Sequence, residues 1–285
     1  MIRLLTFALI MTAAAMAQTF PIDHVTVAGR NVQDMIGKLR DAAGITAEYG
    51  GPHSNHATEM ALASFPDGSY VELIAIQPRA DQAAVRAHYW RKFLEGNAGP
   101  CAWATRPADF SGEVDRLRRA GVAVDGPHRN GRKRPDGVEL DWETAQIGPT
   151  NGGFFPFLIH DFTPRDHRAF PTGKPTTDKY PGVSKVVIAV HDLDAAVARY
   201  QKAYALPSSQ RREDTVLGAR LAWFPGTPIL LAVPLSSGSW LAERLQQYGE
   251  APCAFVLGSG KQDRFGDIAW VDAAQLGWHL GFERE

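Results

Sequence analysis

Only two of the 285 residues are cysteine. No disulfide framework can organise a chain of this length with so few, and no Cys-x-x-Cys pair offers a redox or zinc-binding centre. An excess of charge of one sign is also missing. With 30 basic residues against 31 acidic ones, no polyanionic partner is implied, and nucleic acid is not expected. The local run Arg132-Lys133-Arg134 sits beside a Pro-Asp-Gly turn, where three charges read as a solvated hairpin tip. The sequence has no nucleophile elbow and no phosphate-binding glycine loop, and no apolar run reaches the roughly 20 residues that a membrane-spanning helix requires.

What is present suggests two compact domains with ample material for buried cores. Residues 1–17 read as an export signal: Arg3 supplies positive charge, Leu4 to Met11 an apolar core, and Ala15-Met16-Ala17 a small-x-small cleavage pattern. Cleavage before Gln18 would place the mature protein in the periplasm or outside the cell, with no membrane association after removal. Cys101 and Cys253 occupy matching contexts, Pro-Cys-Ala-Trp and Pro-Cys-Ala-Phe. They read as two buried small residues in equivalent repeat positions, with a disulfide between them as the alternative, since sequence alone does not place their backbones within bridging range.

One pattern occurs twice. A strand at Ile22-Asp23-His24-Val25-Thr26-Val27 leads through a helix to Phe65-Pro66-Asp67-Gly68-Ser69-Tyr70-Val71-Glu72-Leu73-Ile74. A second strand, Val183 to Ile188, leads in the same way to Phe224-Pro225-Gly226-Thr227-Pro228-Ile229-Leu230-Leu231. Such repeats define architecture before any motif is considered. Where the first copy has His24 and Glu72, the second has Lys185 and Leu230.

Four strand-helix units can be traced. In the first, Val32, Met35, Ile36 and Leu39 fall on one helical face, which Gly44 closes. The second opens at Cys101, with a helix over Phe110 to Ala120, a hairpin about Pro-Asp-Gly, and a closing strand over Phe154 to Ile159. The proline-rich stretch Thr163 to Gly182 is the natural break, with 166–181 as linker. The third unit opens at Val183, with a helix from about Leu193 to Tyr204. The fourth opens at Cys253 and is poorly patterned, so it is expected to be truncated or irregular.

Ile22-Asp23-His24-Val25, Gly50-Gly51-Pro52-His53, Gly68-Ser69-Tyr70-Val71-Glu72-Leu73 and Arg134-Pro135-Asp136-Gly137-Val138-Glu139-Leu140 together resemble the vicinal oxygen chelate superfamily, and within it the glyoxalase-like domain group. The resemblance spans roughly residues 20 to 162. It implies an α+β fold of paired βαβββ modules, whose curved mixed sheets surround a cup, in two tandem domains: 18–165, glyoxalase-like, and 182–285, a diverged copy. It also implies a divalent metal held between the first and last strands of a module, which here means His24 and Glu72. Alternation independently points both side chains to the cup, together with Tyr70. In the second module the matching positions are Ala102 and Phe157, neither of which can bind metal. His24 and Glu72 therefore read either as metal ligands or as a hydrogen-bonded polar pair lining a ligand cup.

Glu59, His53 and His56 are candidates for a third ligand. Glu59 and Glu72 are candidates for moving a proton, and His53, Tyr70, Trp103 and Phe157 for lining the substrate, with Phe155 beside them. For the aromatics, the alternative is burial in the core. By alternation His160 points away from the cup. Two functions follow from the resemblance: a metal-dependent enzyme of lyase, isomerase or dioxygenase type acting on a small oxygen-bearing substrate, or a non-catalytic protein that sequesters a small molecule. Homo-oligomerisation is left open.

Overall fold

The computed structural model describes residues 20–134, 136–148, 153–259 and 265–284. The export segment therefore lies outside the described residues.

The first module runs β1 (Ile22–Gly29), α1 (Val32–Ala43), β2 (Glu48–Pro52), β3 (Thr58–Ser64) and β4 (Tyr70–Ile76). Two short helices, α2 (Gln82–Ala87) and α3 (Arg91–Gly96), lead to a second module of β5 (Gly99–Thr105), α4 (Phe110–Arg119), β6 (Val124–Lys133), β7 (Glu139–Ile147) and β8 (Phe157–Asp161). After α5 (Arg165–Ala169) the pattern restarts with β9 (Gly182–Ala189), α6 (Leu193–Tyr204), β10 (Gln210–Asp214), β11 (Ala219–Trp223) and β12 (Ile229–Pro234). Then come α7 (Trp240–Tyr248), β13 (Ala251–Gly258), β14 (Ile268–Trp270), α8 (Ala273–Leu276) and β15 (His279–Glu283). The fourth unit is the irregular one, with its short helix between its last two strands.

Local chemistry explains the boundaries. Asn31 caps α1 by accepting from the Asp34 amide at 3.0 Å, and Val32, Met35 and Leu39 form its buried face. Gly44 ends the helix in the left-handed region at φ 65, a conformation that a side chain would strain.

The first sheet has strand order β2-β3-β4-β1-β5-β8-β7-β6 and the second β10-β11-β12-β9-β13-β15-β14. In both, the opening strand pairs parallel with the last strand of its module and antiparallel with the next module's first strand. The registers match as well: Val25 lies opposite Val71 and Trp103, and Val186 opposite Ile229 and Phe255. His24 is thus equivalent to Lys185, Glu72 to Leu230, and Cys101 to Cys253. Both cysteines are buried and free. The two curled sheets with their helices form two tandem domains of vicinal oxygen chelate type.

Each sheet curls until its edges meet. Arg132 on edge strand β6 donates to the carbonyl of Gly50 on edge strand β2 at 3.0 Å, and Ser54 donates to the carbonyl of Gly131 at 3.1 Å. In the second sheet Trp270 on β14 donates to Asp214 on β10 at 2.8 Å.

The helical layers share one core. Val25, Leu39, Trp103, Val114, Ile188, Tyr200 and Leu276 belong to a single apolar cluster fed by both sheets. At the other end of the boundary, buried Arg244 of α7 donates to the carbonyls of Ala98, Pro100 and Pro252, tying the sheets together. The segment between the sheets is also engaged: Arg165 and Arg168 of α5 reach Asp23 of β1.

The two concave faces differ. On the second, Leu241 and Leu245 of α7 pack with Leu217, Leu221, Trp223 and Leu230 into a buried apolar cluster, and buried Lys185 pairs with Glu283. On the first, a cavity of about 500 Å³ remains.

Candidate functional site

The floor of that cavity is built by β1 and β4, whose register sets Thr26 opposite Glu72 and His24 opposite Tyr70. His24, Tyr70 and Glu72 therefore project into the same space, and all three line it. Thr26 donates its hydroxyl to Glu72 Oε2 at 3.1 Å. His53, from the loop after β2, places Nε2 3.4 Å from Glu72 Oε1 and Nδ1 2.8 Å from Thr58 Oγ1. Burial alone would raise the Glu72 carboxyl, but the hydrogen bond and charge of His53, the charge of His24 and the Thr26 hydroxyl outweigh it and hold Glu72 at about 2. Glu72 is thus a fixed anion.

The imidazole of His24 stacks on the Tyr70 ring at 4.7 Å between centroids and meets Phe157 edge-on at 5.3 Å. Its Nδ1 lies 2.6 Å from Asp23 Oδ1. Asp23 is fully buried, which would raise its pKa, but Arg168, His24 and Arg165 together hold it well below the usual carboxylate range. A carboxylate held ionised can only accept, so His24 Nδ1 carries the proton. Nε2 has no hydrogen-bond partner among the described residues. Arg168 donates to both oxygens of Asp23 and Asp161 and to the Tyr70 hydroxyl. The floor is a buried ionic cluster in which every charge is matched.

Aromatic walls complete the cup: Tyr89 and Trp90 between α2 and α3, Trp142 on β7, and Phe157 on β8. His88 stands beside them, and its burial, with the nearby charge of His53, lowers its pKa.

Three expectations about placement are corrected. Trp103 is fully buried in the helix-side core; on β5 it is Ala102 and Ala104 that face the cup side, so alternation turns the indole between them away. Glu59 is separated from the cup in the same way. Met60 and Leu62 of β3 line the cavity, whereas Glu59 accepts from the exposed Tyr49 hydroxyl at 2.8 Å. Phe155 packs against Tyr200 and Tyr204 of α6. His160 lies against Phe110 of α4, on the helical side where alternation puts it. Arg168 and Arg132 line the cup with no signal in the sequence. Arg168 lies 145 residues from its partner Asp23, and Arg132 reads as part of a solvated tip until the sheet is seen to curl.

The glyoxalase-like domain family matches residues 22–204, from the opening strand of the first sheet to the end of α6. The chain belongs to that family. This glyoxalase-like chain is similar in structure to a hypothetical protein from Staphylococcus aureus, with TM-score 0.63 and 12% identity over 93% of this chain and 99% of that one. It is also similar to a mutant form of 4-hydroxymandelate synthase from Streptomyces coelicolor, with TM-score 0.51 and 15% identity over 84% of this chain and 70% of that one. At these identities the likeness is one of fold, that of the vicinal oxygen chelate superfamily. No curated protein matches the sequence.

A metal in the glyoxalase-like cup would draw on the first and last strands of both modules. These place His24, Glu72, Ala102 and Phe157 at matching positions, and two of the four have nothing to donate. Of the two that remain, Glu72 is engaged by Thr26 and His53, and His24 is tied to Asp23 through Nδ1 with Nε2 open, so two side chains at most are left to serve as donors. Among the described residues no group of three or more His, Cys, Asp or Glu side chains is placed to hold a metal ion. This donor set does not fit a resident divalent metal.

Proposed function

We propose that this glyoxalase-like protein binds one small organic molecule in the cup of the first sheet, through direct hydrogen bonds and aromatic contacts rather than by chelation to a metal. The observation that carries this reading is the placement of Glu72. It is an ionised carboxylate at the foot of a cavity of about 500 Å³, braced by Thr26 and His53. A carboxylate held at about 2 is too weak a base to move a proton near neutral pH, but it is a strong acceptor for a ligand hydroxyl or amine. Tyr70, Phe157, Trp90 and Trp142 supply the apolar enclosure that such sites use. The second sheet, with its concave face filled, completes the shared core.

One observation favours a second reading, proton transfer. With Nδ1 tied to Asp23, His24 presents Nε2 to the cup as a base in the neutral ring, the orientation that acid-base catalysis requires. In that case the protein is an enzyme of isomerase or lyase type, and His24, not Glu72 or Glu59, is the proton carrier. The proposal extends to export by residues 1–17, which mass analysis from the native host would test by a mature chain beginning at Gln18.

The test is a binding screen of small hydroxylated and amino compounds against the purified chain, with elemental analysis alongside. Glu72→Gln is expected to weaken any binder about tenfold or more, the worth of a hydrogen bond to a charged group. Stoichiometric metal that is lost in His24→Ala would overturn the reading.

A further inference from the structure

The cup holds four arginines on or near its lining, and three are accounted for. Arg129 pairs with Asp141, its Nε 2.6 Å from Oδ1, and its guanidinium covers the Phe162 ring. Arg134 pairs with Asp136, Nη2 standing 2.6 Å from Oδ2, and also donates to the carbonyls of His167 and Pro171. Arg168 is held by Asp23 and Asp161. Arg132 is different. Among the described residues its guanidinium makes one hydrogen bond, to the Gly50 carbonyl at 3.0 Å, and forms an ion pair with no carboxylate. It is nevertheless half-buried, and burial pulls its pKa down. An arginine that is removed from water without a counterion costs free energy that an incoming anion would recover.

Its position narrows the ligand further. Arg132 lines the cup and also an adjoining hollow of about 310 Å³, standing where the two edges of the sheet meet. A guanidinium offers a planar fork of donors, and only one arm of this one is occupied. Within the cup, Trp142 and Phe157 face a space of about 500 Å³, enough for one ring-sized body.

We infer that the molecule bound by this cup is an organic acid, whose carboxylate is taken by the free arm of Arg132 while its apolar body lies against Trp142 and Phe157. The inference rests on the reading of the cup as a small-molecule site and names the class of molecule. Glu72 then binds a second, donor-bearing group, so the full ligand carries a hydroxyl or amine at one end and a carboxylate at the other. When the cup is full, Arg132 gains the counterion it lacks, and Glu72 adds a ligand donor to its contacts with Thr26 and His53.

The experiment compares matched acids and amides on the full chain: mandelate against mandelamide, and phenylacetate against phenylacetamide, by calorimetric titration. Each acid is expected to bind at least about tenfold more tightly than its amide, the fold-change of one charge-assisted contact. Arg132→Met should abolish that preference, and Arg132→Lys should retain part of it because the charge survives without the fork. The ligand-free melting temperature of Arg132→Met should be unchanged or higher, which separates lost recognition from lost folding. Equal binding of acid and amide, or an acid preference that survives in Arg132→Met, overturns the organic-acid assignment and leaves the cup as a neutral-ligand site. Failure of both acids to bind at millimolar concentration, while a neutral hydroxylated or amino compound binds, overturns the organic-acid assignment alone; failure of these four compounds and of the whole screen overturns the small-molecule reading with it.

Discussion

Asp23→Asn is the sharpest single perturbation of the cup. The wild-type carboxylate is fully buried and is gripped by both Arg168 nitrogens, at 2.9 and 3.0 Å, by Arg165, and by His24 at 2.6 Å. An amide cannot neutralise two guanidinium groups, and its nitrogen would turn a donor toward one of them. Arg168, itself buried, would keep only Asp161. Removing one partner of a buried charge pair costs about 3–5 kcal/mol, and in a unit of this size about 2–4 °C of melting temperature follows each kcal/mol, so a fall of about 6–20 °C is expected. The pH dependence has a definite sign. The folded-state pKa of Asp23 lies well below its ordinary value of 3.8, so its contribution is fully present above that value and is lost as pH falls through the folded pKa. Differential scanning calorimetry of both proteins at pH 7 and at about pH 3 provides the assay. The gap between them should be large at pH 7 and should shrink on acidification. A melting temperature within about 2 °C of wild type at pH 7 would refute the view that this carboxylate is the keystone of the floor.

Two further outcomes follow from the second sheet. His279 stacks on Trp240 at 3.6 Å, and burial, with the charge of Arg244, lowers it from 6.5 to about 4; the unfolded chain binds more protons between those values, so stability should fall by up to about 2–3 kcal/mol as pH drops through that window. Urea midpoints that are flat from pH 7 to 4.5, or a slope that persists in His279→Gln, would contradict this. Arg244→Met leaves the carbonyls of Ala98, Pro100 and Pro252 without their donor, at about 1–3 kcal/mol for each that stays dry, so an unchanged urea midpoint would show that the boundary does not depend on it.

Much of this fold is legible in the sequence because it is written in short-range periodicity. His24 and Glu72 can be placed on the cup face from alternation alone, and the equivalence of His24 with Lys185 follows from the repeat before any coordinate is known. The same rule, applied to Ala102, turns Trp103 into the core, and applied to Met60 it removes Glu59 from the site. The misplacement of Trp103 and Glu59 comes from weighing their chemistry ahead of their parity. What local pattern cannot express is closure. Arg132 meets Gly50 only because an eight-stranded sheet curls until its edges touch, and Arg168 meets Asp23 only because a proline-rich stretch folds back beneath the first strand. Neither contact leaves a mark within the few residues over which helix and strand periods operate.

The position of α5 has a consequence for the order in which the molecule can be assembled. Synthesis delivers Asp23 first and Arg168 last of the pieces that make the floor, and a nascent chain that has reached Phe162 already contains every strand of the first sheet. Until a few more residues leave the ribosome, that sheet can close only around a carboxylate with no guanidinium to meet it. Its helical side, already packed by α1 and α4, lacks one more partner for longer still, until Leu193–Tyr204 brings Tyr200 and Tyr204 against Phe155. The floor of the cup at the N-terminal end is therefore finished by residues downstream of its own sheet, so the first domain has its full set of charges only when the segment beyond β8 is in place.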